Sequence, residues 1–348
     1  MKRILIIIPY FGVFPEYFDL WLKSVESNKT INFLLITDNQ LKNVPDNVKL
    51  VNMTFEKIKS IIQSNYKFKI NLNTPYDLCK FKPAYGDIFR EYIKEYDFWG
   101  HCDIDLIFGD LRHFFTNEIL QKYEKILSHG HLCLYKNEKN LNELYKVKRH
   151  DCYFYKDVYS SKVEWSNFDE YPYGVSRIAK MEKIKIYEKD IFADLDTFYY
   201  TFRKLYSYYD FREDDDPNII QYFSWLDGKL INYIIKNNKI NKEELAYIHF
   251  QKRIMNCRKI KDISKSFDIF PNIFLPHKHR KIDEIVKMCD LSKNETYCKE
   301  IQLKNKLNKK IPLYIKMFSY QRIKRKIFLY KMDKIYKVKK YKFKKGGF

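Results

Sequence analysis

Short apolar runs alternate with segments of helical spacing along the first part of the chain. Residues 2–8 and 32–37 are two such runs, and the first of them meets Pro9. The segment between them, residues 15–27, carries its apolar side chains at helical spacing, at Phe18, Trp21, Leu22 and Val25. Continuous apolar runs of this length are typical of buried parallel strands, so the order strand, helix, strand predicts an α/β fold.

The same alternation continues downstream. Residues 48–53 predict a third strand, residues 55–62 a second helix, and a further helix is expected to begin near Pro83. Residues 219–235 predict two strands joined at Asp227-Gly228, a dipeptide typical of tight hairpin turns. The remaining predicted elements are a helix over residues 116–127 and strands over residues 131–135, 184–187 and 245–250. In such folds, ligands bind at loops that follow the carboxyl ends of strands.

The most informative stretch is residues 96–115, in which aspartates interrupt an apolar and aromatic run. We expect Asp103 and Asp105 to lie on a strand, where alternation puts both side chains on the same side. One or two carboxylates plus substrate phosphates are the usual ligands of Mg²⁺, and Mn²⁺ prefers the same oxygen donors. A solvated turn is the alternative, but uncompensated carboxylates among apolar residues would be costly to desolvate. The pattern therefore favours a metal site.

Two loops after predicted strands offer groups that suit a nucleotide. The first contains Pro9, Tyr10 and Phe11, whose aromatic rings can pack on a nucleobase. The second contains Thr37 and Asp38, and the carboxylate can accept hydrogen bonds from a base or a ribose. Ordinary connections between strands and helices explain each loop equally well.

Further charged residues predict contacts with phosphate or with an acceptor. Lys82 lies ahead of a predicted helix and can reach a phosphate, although a solvated basic loop is the default explanation. His249 ends an apolar run and is followed by Lys252 and Arg253, which suits an imidazole ligand beside cations for a leaving phosphate. A lone histidine is more often structural.

An aromatic and polar segment, residues 150–175, lacks clear periodicity and reads as a loop of the kind that carries substrate contacts. Within it, Asp169 and Glu170 are the carboxylates that we expect to act as a general base. The acidic run at residues 213–216 is interpreted instead as a solvated loop.

Composition indicates a folded globular chain of 348 residues, 45% of them hydrophobic, with many aromatic residues and only 9 Gly and 10 Pro. The seven cysteines form no C-x-x-C pair, which favours free thiols in a reducing compartment. The apolar run at the start is too short for a signal peptide, and no apolar run reaches membrane-spanning length. These features predict a cytoplasmic protein, or one attached to a membrane from the cytoplasmic side.

The net charge of +21 is concentrated at the end of the sequence. Residues 301–348 contain 15 Lys and 2 Arg against one Asp, so they account for most of that charge. Residues 311–343 interleave apolar and basic side chains, which predicts a basic amphipathic helix on an anionic membrane surface. A solvated tail is the alternative. The interpretation is a catalytic domain over residues 1–265 and a helical, strongly basic extension over residues 266–348.

The succession of IPYFG, TDN, KPA, WGHCDID and YIHFQKR resembles bacterial glycosyltransferases of the GT-A type from capsule, lipopolysaccharide and exopolysaccharide gene clusters. The resemblance covers roughly the first 255 residues. It implies a GT-A-like, Rossmann-like mixed sheet flanked by helices and a nucleotide-diphosphate-sugar donor, with UDP-sugars foremost. It also implies a Mn²⁺ or Mg²⁺ ion and transfer of the sugar to a hydroxyl of a glycan or lipid-linked glycan.

Residue by residue, the resemblance assigns Asp103 to ribose or metal, Asp105 to metal, and His249 to the late histidine that completes the metal shell in some of these families. Lys82, Lys252 and Arg253 would then assist the leaving phosphate. A nucleotidyltransferase is the alternative enzyme, but IPYFGVF has one glycine and no basic residue where a phosphate loop is expected. A nucleic-acid-binding protein is the non-enzymatic alternative, but most of the excess basic charge lies at the terminus and no recognised module is visible, so no nucleic acid partner is expected.

Overall fold

A computed structural model of the chain describes residues 1–150, 152–162, 167–170, 173–195, 201–205, 219–251, 253–257, 260 and 266–291. The predictions for the acidic run 213–216, for Lys252 and for the basic segment 311–343 lie outside these residues. The chain divides into two compact units, each built from several segments. Among the described residues, the first unit comprises Met1–Asn52, Asp103–Gln121 and residues 188–291, and the second comprises Met53–Cys102 and residues 122–187.

The secondary structure of the described residues is mixed. The strands, numbered in chain order, are β1 Ile4–Pro9, β2 Asn32–Thr37, β3 Val48–Asn52, β4 Phe98–Cys102, β5 Leu106–Phe108, β6 Lys125–His129, β7 Leu132–Lys136, β8 Ile186–Tyr187, β9 Phe192–Leu195, β10 Lys204–Leu205, β11 Ile220–Leu226, β12 Lys229–Lys236, β13 Lys239–Leu245, β14 Tyr247–His249, β15 Ser266–Phe270 and β16 Ile273–Pro276. The helices are α1 Phe18–Ser27, α2 Phe55–Ser64, α3 Tyr85–Ile88, α4 Arg90–Ile93, α5 Leu111–Phe114, α6 Asn117–Lys122, α7 Lys139–Asn142, α8 Tyr155–Ser160, α9 Val175–Met181 and α10 Ile282–Leu291, with 3-10 helices at Pro75–Ala84 and Leu144–Lys146.

The first unit begins with a parallel arrangement in which β1 pairs with β2 and β2 with β3. The apolar residues of β1 and β2 are buried, as expected for strands in the interior of an α/β sheet. Helix α1 turns its buried side chains, including Trp21 and Val25, toward the core, and it packs against β5. The α/β class predicted from the apolar pattern is confirmed.

A second sheet of the first unit has the order β10-β9-β14-β5. Its strand β14 lies between two partners that are distant from each other in sequence: it pairs in parallel with β9 and antiparallel with β5. Although β14 has only three residues, its position brings the ends of β5 and β9 together. This arrangement positions the candidate site.

The third sheet of the first unit is antiparallel, with the order β13-β12-β11-β15-β16. The predicted turn at Asp227-Gly228 is confirmed, since it joins β11 to β12 and both residues have positive φ. Beyond the boundary predicted after residue 265, β15 pairs with β11 and β16 pairs with β15. The stretch that was expected to be a helical extension therefore begins with two strands of this sheet. Helix α10 follows and packs on one face, in an apolar cluster that includes Tyr222, Phe270 and Ile285.

The second unit contains β4, β7 and β6 in antiparallel pairing, with β8 parallel to β6. The helix expected to begin near Pro83 is instead a 3-10 helix in which Pro83 is internal, followed by the short helices α3 and α4. An aromatic cluster fills its core around Tyr159, whose ring centroid lies 4.3 Å from that of Phe81 and 5.9 Å from that of Tyr145.

None of the helices in the described part of the chain combines the length and the apolar character that crossing a membrane would require.

Candidate metal and nucleotide site

The two aspartates of the D-x-D triplet lie between strands and not on one, because β4 ends at Cys102 and β5 begins at Leu106. The predicted alternation along a strand is therefore wrong for Asp103 and Asp105, and a bend brings their carboxylates together instead. The carbonyl oxygen of Asp105 accepts a hydrogen bond of 2.9 Å from the backbone N–H of Phe250. That bond fastens the bend to the residue that follows β14.

Strand pairing brings His249 to the bend. In the antiparallel pair of β5 and β14, His249 lies opposite Leu106, the residue immediately after Asp105. The His249 Nε2 atom is 3.4 Å from the Asp105 Oδ1 atom. One ligand atom each from Asp103, Asp105 and His249 lie within 4.8 Å of one another. Their convergence agrees with the sequence prediction, while the ligand role itself remains a prediction.

A third carboxylate lies on the other side of the imidazole. In the parallel pair of β9 and β14, Asp194 is directly opposite His249, and its Oδ1 atom lies 2.8 Å from the histidine Nδ1 atom. Gln251 donates a hydrogen bond of 2.9 Å from Nε2 to the same oxygen. The sequence interpretation missed Asp194, since β9 was not predicted and an isolated aspartate carries no motif, and it gave no role to Gln251, which lies within YIHFQKR.

The charges around His249 are strongly negative. Burial by itself lowers the pKa of this imidazole, but the carboxylates of Asp105 and Asp194 outweigh that effect and raise the pKa to about 10. Burial raises the pKa of Tyr10, and the charge of Asp105 adds to the increase. Burial and the same carboxylate also raise the pKa of Tyr17. A concentrated negative field of this kind attracts cations.

The donor set fits a divalent cation. It consists of two carboxylates and one imidazole, all of them partly accessible to solvent. Carboxylate oxygens are preferred by Mg²⁺ and Mn²⁺, and an imidazole nitrogen is a good ligand for transition metals. The hydrogen bond from His249 to Asp194 is the outer carboxylate contact that metal-bound histidines usually make. On these grounds the cluster suits Mn²⁺ better than Mg²⁺.

The loop after β1 lies near this cluster. The backbone N–H of Tyr10 donates to the carbonyl of Ile36, and its hydroxyl donates to the carbonyl of Val13. The Tyr10 ring stacks on Phe14 with 5.0 Å between ring centroids, and Phe14 stacks in turn on Phe18. Tyr10 is half-buried, whereas Phe11 is 6% exposed and belongs to the core. Of the two rings, Tyr10 is therefore the better placed for a ligand, and Pro9 is simply the last residue of β1.

The loop after β2 is joined to the first loop by Asn39, a residue of the TDN motif to which the sequence analysis assigned no role. Asn39 donates from Nδ2 to the carbonyl of Gly12 and to the hydroxyl of Thr37. Thr37 is buried at the end of β2, and Asp38 is exposed. Asn39 thus ties the two loops together and leaves the carboxylate of Asp38 in solvent.

Two of the three cations predicted to meet phosphate, Arg253 and Lys82, are engaged within the protein. Arg253 is 3% exposed, donates from Nη1 to the Asn272 side chain at 3.1 Å, and stacks over the Phe202 ring. In the second unit, Lys82 is 7% exposed and donates to the carbonyl oxygen of Gly130 at 2.9 Å. Their roles toward a phosphate remain predictions, and Lys252 lies outside the described residues.

The predicted bases lie in the second unit. Asp169 is fully buried, and its Oδ2 atom is 3.9 Å from the Nε2 atom of His101. Glu170 is half-buried and accepts a hydrogen bond of 2.7 Å from the backbone N–H of Gly130. Of the two carboxylates, Glu170 is the one that retains some exposure to solvent.

The chain matches the model of a protein family described as a family of unknown function, DUF6625, over residues 6–278. No curated protein matches the sequence. Among solved structures, the chain is similar to that of a galactosyltransferase, LgtC, in complex with donor and acceptor sugar analogues. The two sequences are 11% identical, the similarity covers 55% of this chain and 75% of that chain, and the TM-score is 0.30. The glycosyltransferase GlyE of Streptococcus pneumoniae TIGR4 is similar with 13% identity, 54% and 45% coverage, and a TM-score of 0.28. Similarities at such TM-scores do not establish a shared activity.

Proposed function

The chain belongs to the DUF6625 family, a family of unknown function, and we propose that it is a metal-dependent glycosyltransferase that uses a nucleotide-diphosphate-sugar donor. The observation that carries the proposal is the convergence of Asp103, Asp105 and His249 within 4.8 Å of one another. Such a set suits a divalent cation that is shared with substrate phosphates, and a nucleotide-diphosphate-sugar supplies two such phosphates. The sequence resemblance to GT-A glycosyltransferases supports the same proposal.

Each residue of the cluster has a distinct role in this proposal. Asp103 and Asp105 supply carboxylate oxygens, and His249 supplies Nε2, the ring nitrogen that faces Asp105. When bound, a divalent cation supplies positive charge that stabilises the diphosphate leaving group. Tyr10 and Asp38 lie in the loops that would hold the nucleoside, the ring against the base and the carboxylate against base or ribose hydroxyls. A UDP-sugar is the donor class that we propose.

The acceptor is proposed to be a hydroxyl of a glycan or of a lipid-linked glycan in surface polysaccharide synthesis. If the reaction inverts the anomeric centre, a carboxylate must remove the proton from that hydroxyl, and Glu170 is the better candidate because Asp169 is fully buried. Membrane attachment through the basic residues 311–343 is a proposal on sequence alone, and it would place the protein on the cytoplasmic face.

The test is a thermal unfolding series on the full chain with nucleotides, nucleotide sugars and Mn²⁺, separately and together. A ligand that binds only the folded state raises the midpoint by mass action, by about 2.7 kcal/mol of stabilisation at a concentration one hundred times Kd. We expect a shift with one nucleoside diphosphate that needs Mn²⁺ and disappears in Asp105→Ala and in His249→Ala. The matched control is Asp46→Ala, which removes an exposed aspartate of the same unit and should respond as the wild type does.

Product analysis separates the two enzyme classes. A glycosyltransferase releases the nucleoside diphosphate and consumes the sugar nucleotide, whereas a nucleotidyltransferase releases pyrophosphate from a nucleoside triphosphate. Absence of a midpoint shift with every nucleotide, in the presence and absence of Mn²⁺, would rule out the proposed donor site. Release of pyrophosphate would show that the same cluster serves a nucleotidyltransferase.

A further inference from the structure

The strand pairing of the first unit places Asp194 where it can control the orientation of His249. β9 and β14 run in parallel, and their register sets Asp194 directly opposite His249. The partner on the opposite side of β14 is β5, which leads back to Asp105. The imidazole therefore lies between two carboxylates, one on β9 and the other in the bend just before β5.

The two ring nitrogens of His249 face different carboxylates. Nδ1 lies 2.8 Å from Asp194 Oδ1, and Nε2 lies 3.4 Å from Asp105 Oδ1. A carboxylate can only accept hydrogen bonds, so Nδ1 must carry a hydrogen to bond Asp194. That bond leaves Nε2 as the nitrogen directed at the Asp103 and Asp105 cluster.

Asp194 is itself held in place. Gln251 donates from Nε2 to the same oxygen, Oδ1, at 2.9 Å. Gln251 has a positive φ of 55°, a conformation that L residues rarely adopt and that costs free energy. The side chain of Asp194 is only 20% exposed and that of His249 only 12% exposed, so water competes weakly for these bonds.

We propose that Asp194 is a positioning residue that holds His249 with Nε2 toward Asp105, and that Gln251 fixes Asp194 for this purpose. The consequence for cation binding rests on the function proposed above, but the orientation of the imidazole does not. Outer hydrogen bonds to metal-bound histidines typically change metal affinity by about 10-fold to 100-fold. Loss of the Asp194 contact should have an effect of that size, without removal of any ligand.

Two nearly isosteric replacements test the proposal. Asp194→Asn retains a carbonyl oxygen that accepts from Nδ1, whereas Asp194→Leu has the same size and no acceptor. We expect Mn²⁺ affinity, measured as free Mn²⁺ by electron paramagnetic resonance, to fall about 10-fold to 100-fold in Asp194→Leu and by a few-fold in Asp194→Asn. The matched control is Asp190→Leu, which changes an exposed aspartate just ahead of β9 and should keep the wild-type affinity.

A metal-free measurement keeps the orientation of His249 testable on its own. In protein labelled with ¹⁵N-histidine, the Nδ1–H proton bonded to a carboxylate should give a downfield resonance that is lost in His249→Gln and in Asp194→Leu. Persistence of that resonance in Asp194→Leu, or equal Mn²⁺ affinity in the Leu and Asn variants, would overturn the proposal. If the resonance behaves as expected but the wild type binds no Mn²⁺, the proposed function fails and the positioning role of Asp194 stands.

Discussion

The Asn28 side chain donates a hydrogen bond of 2.9 Å from Nδ2 to the carbonyl oxygen of Gly109, which connects the end of α1 to the residue after β5. The same amide donates to the carbonyl of Ser24, and its Oδ1 atom accepts from the backbone N–H of Leu111. Asn28 is 4% exposed. One buried side chain thus satisfies three backbone groups on two segments, which meet at the end of β5 that lies away from the D-x-D bend.

Asn28→Ala is therefore expected to lower the free energy of unfolding by about 2–4 kcal/mol, because buried backbone groups lose their partners at about 1–3 kcal/mol each. Urea unfolding followed by fluorescence measures the change. Asn241→Ala, at an exposed position of β13, is the control and should stay within about 0.5 kcal/mol of the wild type. Equal losses in both variants would contradict the role assigned to Asn28.

The raised pKa of His249 gives stability a defined dependence on pH. Because the folded pKa is about 10, and the unfolded pKa is about 6.5, folding favours the imidazolium. This contribution is fully present below pH 6.5 or so and is lost as the pH rises through the folded pKa. In metal-free protein, the free energies of unfolding of the wild type and of His249→Gln should approach each other as the pH rises from about 7 to about 10. A constant difference across that range would contradict the assignment.

The same imidazolium predicts that Mn²⁺ displaces a proton. A metal binds the unprotonated ring nitrogen, so the cation and the proton compete for His249. We expect Mn²⁺ to bind more tightly at pH 8.5 than at pH 6.0. At pH 7.5, titration calorimetry in two buffers of different ionisation enthalpy should show nearly one proton released per ion. In His249→Ala the proton release should vanish, even if the two carboxylates retain weak binding.

The turn between β11 and β12 gives a pair of predictions with opposite signs. Gly228 has a φ of 92°, and an added Cβ would lie 3.3 Å from the Cβ of Ser27. Gly228→Ala should therefore lower the free energy of unfolding by about 1–2 kcal/mol. Asp227 has a φ of 46°, so Asp227→Gly should leave stability unchanged or raise it by a few tenths of a kcal/mol. Thermal unfolding of both variants measures these changes in stability. If Asp227→Gly destabilised the protein as much as Gly228→Ala, the positive φ values would not be the cause.

The two candidate bases, Asp169 and Glu170, differ in burial, so substitutions at each should have different effects. Glu170→Gln keeps a carbonyl oxygen for the Gly130 N–H and should change stability little. If Glu170 is the base of an inverting transfer, kcat should fall by about 10²-fold to 10⁴-fold while the donor KM changes little. Asp169→Asn is the comparison, because that carboxylate is fully buried and its loss should register mainly in stability. A wild-type kcat in Glu170→Gln would exclude it as the base.

The sequence predicts those parts of the fold that depend on local pattern. The apolar run at residues 32–37 predicts β2, and Asp227-Gly228 predicts the hairpin between β11 and β12, because burial and turn geometry act on neighbouring residues. β13 was missed because its exposed, charged residues follow no apolar alternation. At Asp103 and Asp105, short-range alternation fails, since the bend is set by pairing of β5 with a strand near residue 249.

In the candidate site, too, the sequence predicts what depends on local motifs and not what depends on contacts between distant segments. Asp103, Asp105 and His249 were indicated by local motifs, and the structure brings them together. Asp194 lies in no motif, and Gln251 and Asn39 lie in quoted motifs that gave them no role, because the roles of all three arise from register and from hydrogen bonds between distant segments. Arg253 was predicted from charge alone, and charge does not reveal that a guanidinium is buried against Phe202.

The order of strands in the β10-β9-β14-β5 sheet also constrains how the protein is made. β14 is the last of these four strands to leave the ribosome, yet it occupies an interior position between β9 and β5. Non-local pairings of this kind form slowly, because the intervening chain must be ordered first. During synthesis, the edges of β5 and β9 that pair with β14 stay unpaired until β14 has been made. The acidic bend at Asp103 and Asp105 is likewise made before His249, whose imidazolium offsets its negative charge. A chain that stalls before Tyr247 would present two open strand edges, which is a ready target for chaperones and proteases.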